Sequence, residues 1–254
     1  MMIEAEIGYV TALLLMFVRV SALLLLSPLF AVTQLPVKIR VLFLLALTAM
    51  LLAGLQISDP IAPNNLAELF QAAIFELFIG AIMAFGLFAA FGAFLFGGRI
   101  LDLQMGFGIA NLIDPVTQNQ GPLIGTLLNL AAVMAFFTMD GHHMLLRGLA
   151  YSLAQIPVGQ GFGSLSIDAV VGQFGRMFIF GIMLVASAVF ALLLLDVGLA
   201  ITARTMPQLN IFIVGMPLKI FAGTVVLIFS LNYLGPLLKK IFESIFRYWE
   251  QVLI

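Results

Sequence analysis

Cysteine is absent from the 254 residues, and the only histidines, His142 and His143, stand side by side. Disulfides, thiol catalysis and cysteine-ligated zinc, haem or iron–sulfur sites are thereby excluded. Charge is scarce: 11 Lys and Arg against 12 Asp and Glu, 9% of all residues, with a net charge of −1. A soluble domain carries about 25% charged residues, so this chain has too few to cover a water-facing surface. The even balance also excludes nucleic-acid binding as a main activity, because that work needs clustered Lys and Arg to neutralise phosphates. No Lys or Arg precedes the first apolar run, where Glu4 and Glu6 stand instead, and no small-residue cleavage site closes a short apolar core. The first segment is therefore expected to be retained and not removed as a signal peptide.

What is abundant is apolar. Hydrophobic residues make up 63% of the chain, and the mean hydropathy is +1.19. Apolar runs occupy 7–30, 41–57, 69–97, 123–139, 144–156, 169–203 and 209–238, separated by short polar marks. Crossing a bilayer core takes about 20 helical residues. The first, third and last two runs meet that length, 41–57 and 123–139 sit at the lower limit, and 144–156 is too short to span alone. In lipid only helices or closed barrels satisfy every backbone polar group. The runs are continuous and not alternating, so they predict an all-α, polytopic membrane-type protein and not a barrel.

Topology from charge is in conflict. Lys38 and Arg40 suggest a cytoplasmic first loop, and Lys239, Lys240 and Arg247 suggest a cytoplasmic tail. The two agree only if 144–156 counts as a crossing. That conflict points to apolar helices that pack on protein and not on lipid. The third run suits close packing, with Gly80 and Ala84, Gly86 and Ala90, Ala89 and Ala93, and Ala93 and Gly97 each four apart; small residues are also simply common in membrane helices. At the C-terminal end, Leu238, Ile241, Phe242, Ile245, Phe246, Trp249, Val252 and Leu253 share one helical face. Lys239, Lys240, Glu243, Ser244, Arg247, Glu250 and Gln251 share the other. This amphipathic helix suits either a membrane interface, with Tyr248 and Trp249 as anchors, or a partner surface.

Arg19, Glu76, Arg176, Asp196 and Lys219 lie inside long apolar runs. Each costs roughly 2.5–3.5 kcal/mol at a helix centre, so each is expected to face a bundle interior, a partner or a water-filled path. Internal or intersubunit ion pairs are the simplest account, since no chain of carboxylates and histidines marks a proton relay. No catalytic constellation is evident. Gly106-Phe107-Gly108 opens like a dinucleotide fingerprint, but Asn111 occupies the third glycine position and no strand precedes it. His142 and His143, as neighbours on a helix, point about 100° apart. They are read as a polar interfacial turn and not as a metal site. No catalytic residue, cofactor or metal is assigned.

The stretch 104–122 differs from the rest. Gly106, Gly108, Asp114-Pro115 and Gly121-Pro122 oppose a continuous helix, yet Ile109, Ala110, Leu112 and Ile113 are apolar enough for burial. Irregular backbone survives at membrane depth only inside protein or along a cavity. The stretch is a candidate gate, filter or plug, or else an ordinary polar connection.

Leu103-Gln104-Met105-Gly106 leading to Asp114-Pro115, then Gly141-His142, then 206–219 from Met206-Pro207-Gln208 to Pro217-Leu218-Lys219, resemble the FliR family of flagellar export-gate proteins. The family includes the T subunit of virulence-type type III secretion systems. The resemblance covers essentially the whole chain, and its most specific part is Pro207-Gln208-Leu209-Asn210-Ile211-Phe212 with Val214, Gly215, Pro217 and Leu218. It implies a single subunit of a helical export-gate assembly: a FliP-like part over 1–168, and a FliQ-like helical hairpin over 169–254 that ends in the amphipathic helix. FliP, FliQ, FlhB and FlhA are the implied partners, with lipid around the assembly and unfolded flagellar proteins as cargo. The implied location is the bacterial inner membrane and flagellar basal body, seated partly on the periplasmic side. The loop 106–122 is implied to plug the closed pore, through Gly106, Phe107, Gly108, Ile109, Ala110, Asn111, Leu112, Ile113, Asp114, Pro115, Val116, Thr117 and Gln118. Arg19, Glu76, Pro207, Gln208, Asn210, Phe212, Gly215, Pro217 and Lys219 are implied to serve subunit packing or structure. On this view the work is gating and not catalysis. A secondary transporter with a broken-helix midplane site and a passive scaffold are the competing classes.

Overall fold

The computed structural model describes residues 2–29, 36–54, 65–107, 122–161, 165–208 and 210–253. Among them are eight helices: α1 (Met2–Leu25), α2 (Val37–Gly54), α3 (Leu66–Met105), α4 (Leu123–Thr138), α5 (Gly141–Gln155), α6 (Ile167–Thr205), α7 (Ile211–Leu231) and α8 (Gly235–Val252). No strand occurs among the described residues. Five helices are long and apolar enough to cross a membrane, and α4 with α5 makes a sixth if that broken pair counts as one span. The protein is thus an all-α, multi-pass membrane protein, as the apolar runs predict.

Helix ends follow local chemistry. Asn65 precedes α3 and its Oδ1 accepts the Glu68 amide at 2.9 Å, and Ser166 Oγ accepts the Ala169 amide at the start of α6 at 3.3 Å. Two boundaries differ from the apolar runs. Helix α3 runs to Met105, past Arg99 and Asp102, because nothing there breaks a helix until Gly106. The last run divides: Tyr233 and Leu234 amides close α7 on the Ser230 and Leu231 carbonyls at 2.9 and 3.2 Å. Pro236, in the first turn of α8, lacks the amide that a continuous helix would need there.

The chain forms two compact units. The first comprises Met1–Ala89, Asp140–Gln173 and Ser244–Ile254. Its core is built by Leu15, Met16, Val20 and Leu23 of α1, Leu44 of α2, Ile79, Met83 and Leu87 of α3, Leu149 of α5, and the end of α8. Gly80 admits α1 closely: a Cβ there would lie 2.5 Å from the Arg19 carbonyl oxygen. The end of α8 departs from both sequence readings. Tyr248 and Trp249 are fully buried in the chain's own core. The indole N–H donates to the Met83 carbonyl at 3.0 Å, and the Tyr248 hydroxyl donates to the Ile82 carbonyl at 3.1 Å. Their polar handles are satisfied internally, so neither a membrane interface nor a partner is needed to hold them. Gly148 makes the slot, since a Cβ there would meet Trp249 Cζ3 at 1.9 Å. Ser244, expected on the polar face, is buried as well.

The second unit comprises Ala90–Met139 and Phe174–Glu243. Phe91, Phe136 and Phe242 meet with ring centroids 5.3–6.0 Å apart, and Phe94 stacks on Phe242 at 6.5 Å. The small residues of α3 lie where backbones meet. A Cβ at Gly97 would come within 2.6 Å of the Gly181 carbonyl oxygen in α6, and one at Gly98 within 2.1 Å of the Gly125 Cα in α4.

Candidate functional site

Two constellations arise from charges that the apolar runs cannot leave in lipid. In the first unit, Arg19 and Glu76 are both fully buried and pair bidentately, with Nε–Oε2 at 2.5 Å and Nη2–Oε1 at 3.0 Å. The remaining guanidinium donors reach the end of α5: Nη1 donates to the Ser152 carbonyl at 3.1 Å and to Ser152 Oγ at 3.4 Å, and Nη2 donates to the Ile156 carbonyl at 2.9 Å. Glu76 Oε1 also accepts the Gly159 amide at 2.9 Å. A guanidinium has five N–H donors, and five acceptor contacts surround this one. A cation at a helix C-terminus also meets the negative end of its dipole. One ion pair therefore pins α1, α3, the end of α5 and the turn after it. Its chemistry is positional, since every donor of Arg19 is engaged.

In the second unit, Asp196 of α6 and Lys219 of α7 form an ion pair across the hairpin, with side chains 43% and 25% exposed. They line a cleft of about 360 Å³ together with Gln104, Gly106, Gly215 and Met216. Gln104 Oε1 is buried there with no hydrogen-bond partner among the described residues. Helix α3 ends at this wall. The Gly106 amide bonds the Leu103 carbonyl at 3.3 Å, and Gly106 takes φ +90°, a left-handed conformation that glycine adopts without a Cβ clash. The chain returns at Pro122, which offers no side-chain cap to α4. Asp102 of α3 caps it instead: its nearly buried carboxylate accepts the Ile124 amide at 3.0 Å and the Gly125 amide at 3.4 Å. Asp102 and Gly106 are one helical turn apart, so both ends of the intervening stretch are held at the last turn of α3.

Arg19 and Glu76 meet each other, and Lys219 meets Asp196. Gly215 is buried beside Lys219's cleft, while Pro207, Gln208, Asn210 and Pro217 are exposed. The Asn210 carbonyl accepts the Ile213 and Val214 amides in the first turn of α7, at 3.0 and 3.4 Å. Phe212 lies in the first turn of α7. Gly106 and the half-buried Phe107 are placed, whereas Gly108, Ile109, Ala110, Asn111, Leu112, Ile113, Asp114, Pro115, Val116, Thr117 and Gln118 lie outside the described residues. Ser152, Gly159 and Asp102 were not singled out by the sequence. A polar residue inside an otherwise apolar helix was the available signal for Ser152 and Asp102; Gly159 contributes only its backbone. The histidine pair lies in the first turn of α5, next to Asp140. One ligand atom each from Asp140, His142 and His143 lies within 4.8 Å of the others, and the two rings are 4.2 Å apart. Both histidines sit in the first turn of α5, where side chains lean toward the helix N-terminus and converge beyond it.

Residues 10–245 match the family model described as Bacterial export proteins, family 1. The flagellar biosynthetic protein FliR of Bacillus subtilis (strain 168) is 34% identical over 238 residues, 91% of this chain and 90% of the relative. That of Escherichia coli (strain K12) is 26% identical over 230 residues, 90% and 87% of the two chains. The Yop proteins translocation protein T of Yersinia pestis is 30% identical over 156 residues, 60% of each chain.

Proposed function

Because the chain belongs to the bacterial export proteins, family 1, and so is a membrane-embedded component of type III export, we propose that it is a core subunit of the flagellar export gate. In this reading it joins FliP and FliQ around a pore for unfolded flagellar proteins, with FlhA and FlhB nearby, in the inner membrane at the flagellar basal body and partly on its periplasmic side. The stretch 106–122 is the plug. Ile109, Leu112 and Ile113 keep water and ions out of the resting pore, and an exporting chain displaces them. The role is gating and not catalysis, and the driving energy comes from partner proteins and the proton motive force.

The observation that supports this most is the double tether of the stretch at one turn of α3, through Gly106 and the Asp102 cap. Anchoring on one turn of α3 keeps the start and the return of the stretch together, as a plug that stays attached to its gate requires. Deleting 109–118 keeps both tethers. The expected result is an assembled gate whose membrane leaks ions at rest. Unchanged conductance with the assembly intact would refute the plug.

A virulence-type secretion gate is the second reading, favoured by the 30% identity to the Yersinia pestis T protein. The flagellar relative covers 91% of the chain against 60% for that one, which is why the flagellar role is preferred.

A further inference from the structure

We infer that Asp140, His142 and His143 bind a divalent transition-metal ion of zinc's class. The site is separate from the gate reading and does not depend on it. Three donors of the right type converge: two imidazoles and a carboxylate, with one ligand atom from each lying within 4.8 Å of the others. Imidazole favours zinc, copper or nickel over magnesium or calcium. Asp140 Oδ1 and His143 Nδ1 are 3.4 Å apart. Two ligands on one tetrahedral zinc, with bonds of about 2.0–2.2 Å, stand roughly 3.3 Å apart, so this pair is already at coordination spacing. The His142 ring, 4.2 Å from that of His143, completes the set by rotation of its side chain.

The backbone points the same way. Asp140 occupies the N-cap position of α5, where an aspartate usually accepts a helix amide. Here it makes no side-chain cap bond and sits at φ 59°, ψ 27°, the one positive-φ residue other than glycine among those described. Its carboxylate is turned to His143. All three residues are exposed in the chain, which leaves a further coordination position for water. Bound metal ties the Asp140 corner to the first turn of α5.

The test uses the full chain in detergent, purified on a tag without histidine and titrated with Zn²⁺ against a chromophoric chelator, with Cu²⁺ as the spectroscopic probe. One Zn²⁺ per chain is expected, and the Cu²⁺ electron paramagnetic resonance spectrum should report two nitrogen ligands. D140N, H142Q and H143Q should each weaken binding about 10-fold or more, the scale on which even outer partners of a metal ligand are felt. Asparagine tolerates the left-handed backbone, and unchanged far-UV circular dichroism separates loss of a ligand from loss of fold. No saturable Zn²⁺ binding, or binding that D140N leaves unaltered, would overturn the site; the second result would mark an ordinary surface histidine pair.

Discussion

Helices α3 and α7 are about equally apolar, yet the chain buries most of the apolar stretch of the first and little of that of the second. Helix α3 lends Ile79, Met83 and Leu87 to one core and Phe91, Phe94 and Leu101 to the other, and it carries Glu76 with its partner Arg19. Helix α7 leaves Phe221, Ile228 and Phe229 more than half exposed. Hydropathy reports what water exposure would cost; it does not report what covers the surface. The differences lie elsewhere in the sequence. Helix α3 has glycines and alanines at four-residue spacing, which let backbones approach, and an acid that must find a base. Helix α7 keeps bulky apolar side chains over most of its length, and the described residues leave most of them uncovered.

The contrast can be broken at its strongest point first. Glu76→Ala leaves a fully buried guanidinium unpaired, an error that costs about 3–5 kcal/mol. The expected result is a large drop in the amount of chain recovered from membranes and in its unfolding temperature in detergent. Replacing both partners, as R19M with E76L, should restore most of the loss, because an apolar pair of similar volume removes the stranded charge. Failure of the double variant to recover would mean that the contacts to Ser152 and Ile156, and not the charge, carry the effect.

The same core has a pH signature. Burial pushes the Tyr248 hydroxyl well above its ordinary value of 10.0. A group whose folded value is raised contributes stability that is complete below its unfolded value and is lost above it. Unfolding in detergent should show no Tyr248 contribution to pH dependence below about pH 10 and a decline above it, and Y248F should flatten that decline. An identical alkaline slope in Y248F would contradict the assignment.

In the second unit the effects are smaller. D102A removes the cap of α4, worth about 0.5–2 kcal/mol, and should raise hydrogen exchange at the Ile124 and Gly125 amides while the first unit keeps its protection. D196N breaks a partly exposed ion pair of the hairpin, and such pairs contribute about 0–1 kcal/mol. Its unfolding temperature should barely move. An effect as large as that of Glu76→Ala would mean that the partly exposed Asp196–Lys219 pair is a main support of the second unit.

Much of this was legible in the sequence for definable reasons. Long apolar runs give helices because lipid and dry cores both demand internally bonded backbone, and Gly106 ends α3 for local steric reasons, whereas the division of the last run before Gly235-Pro236 was not anticipated. Arg19 and Glu76 stood out because charges are rare inside such runs. Which acid met which base was not legible: the two lie 57 residues apart, and spacing along the chain carries no information on contacts between helices. The backbone carbonyls of Ser152 and Ile156 have no residue signature at all. The end of α8 misled because its amphipathic period fits a lipid interface, a partner groove and the chain's own core equally well. Only the glycine at 148, a slot for Trp249, distinguishes the last, and it is visible as a slot only when the two helices are together.

The most direct measurement uses the missing cysteine. A single Phe229→Cys substitution gives the full chain one thiol, on the exposed face of α7. In native membranes, with the gate assembled, a short thiol-reactive cross-linker is applied and the adduct is identified by mass spectrometry. A defined adduct with a FliP- or FliQ-like subunit is expected, lost when that subunit is deleted. A thiol that yields no protein adduct and reacts only with a lipid-phase probe, while export continues, would contradict it.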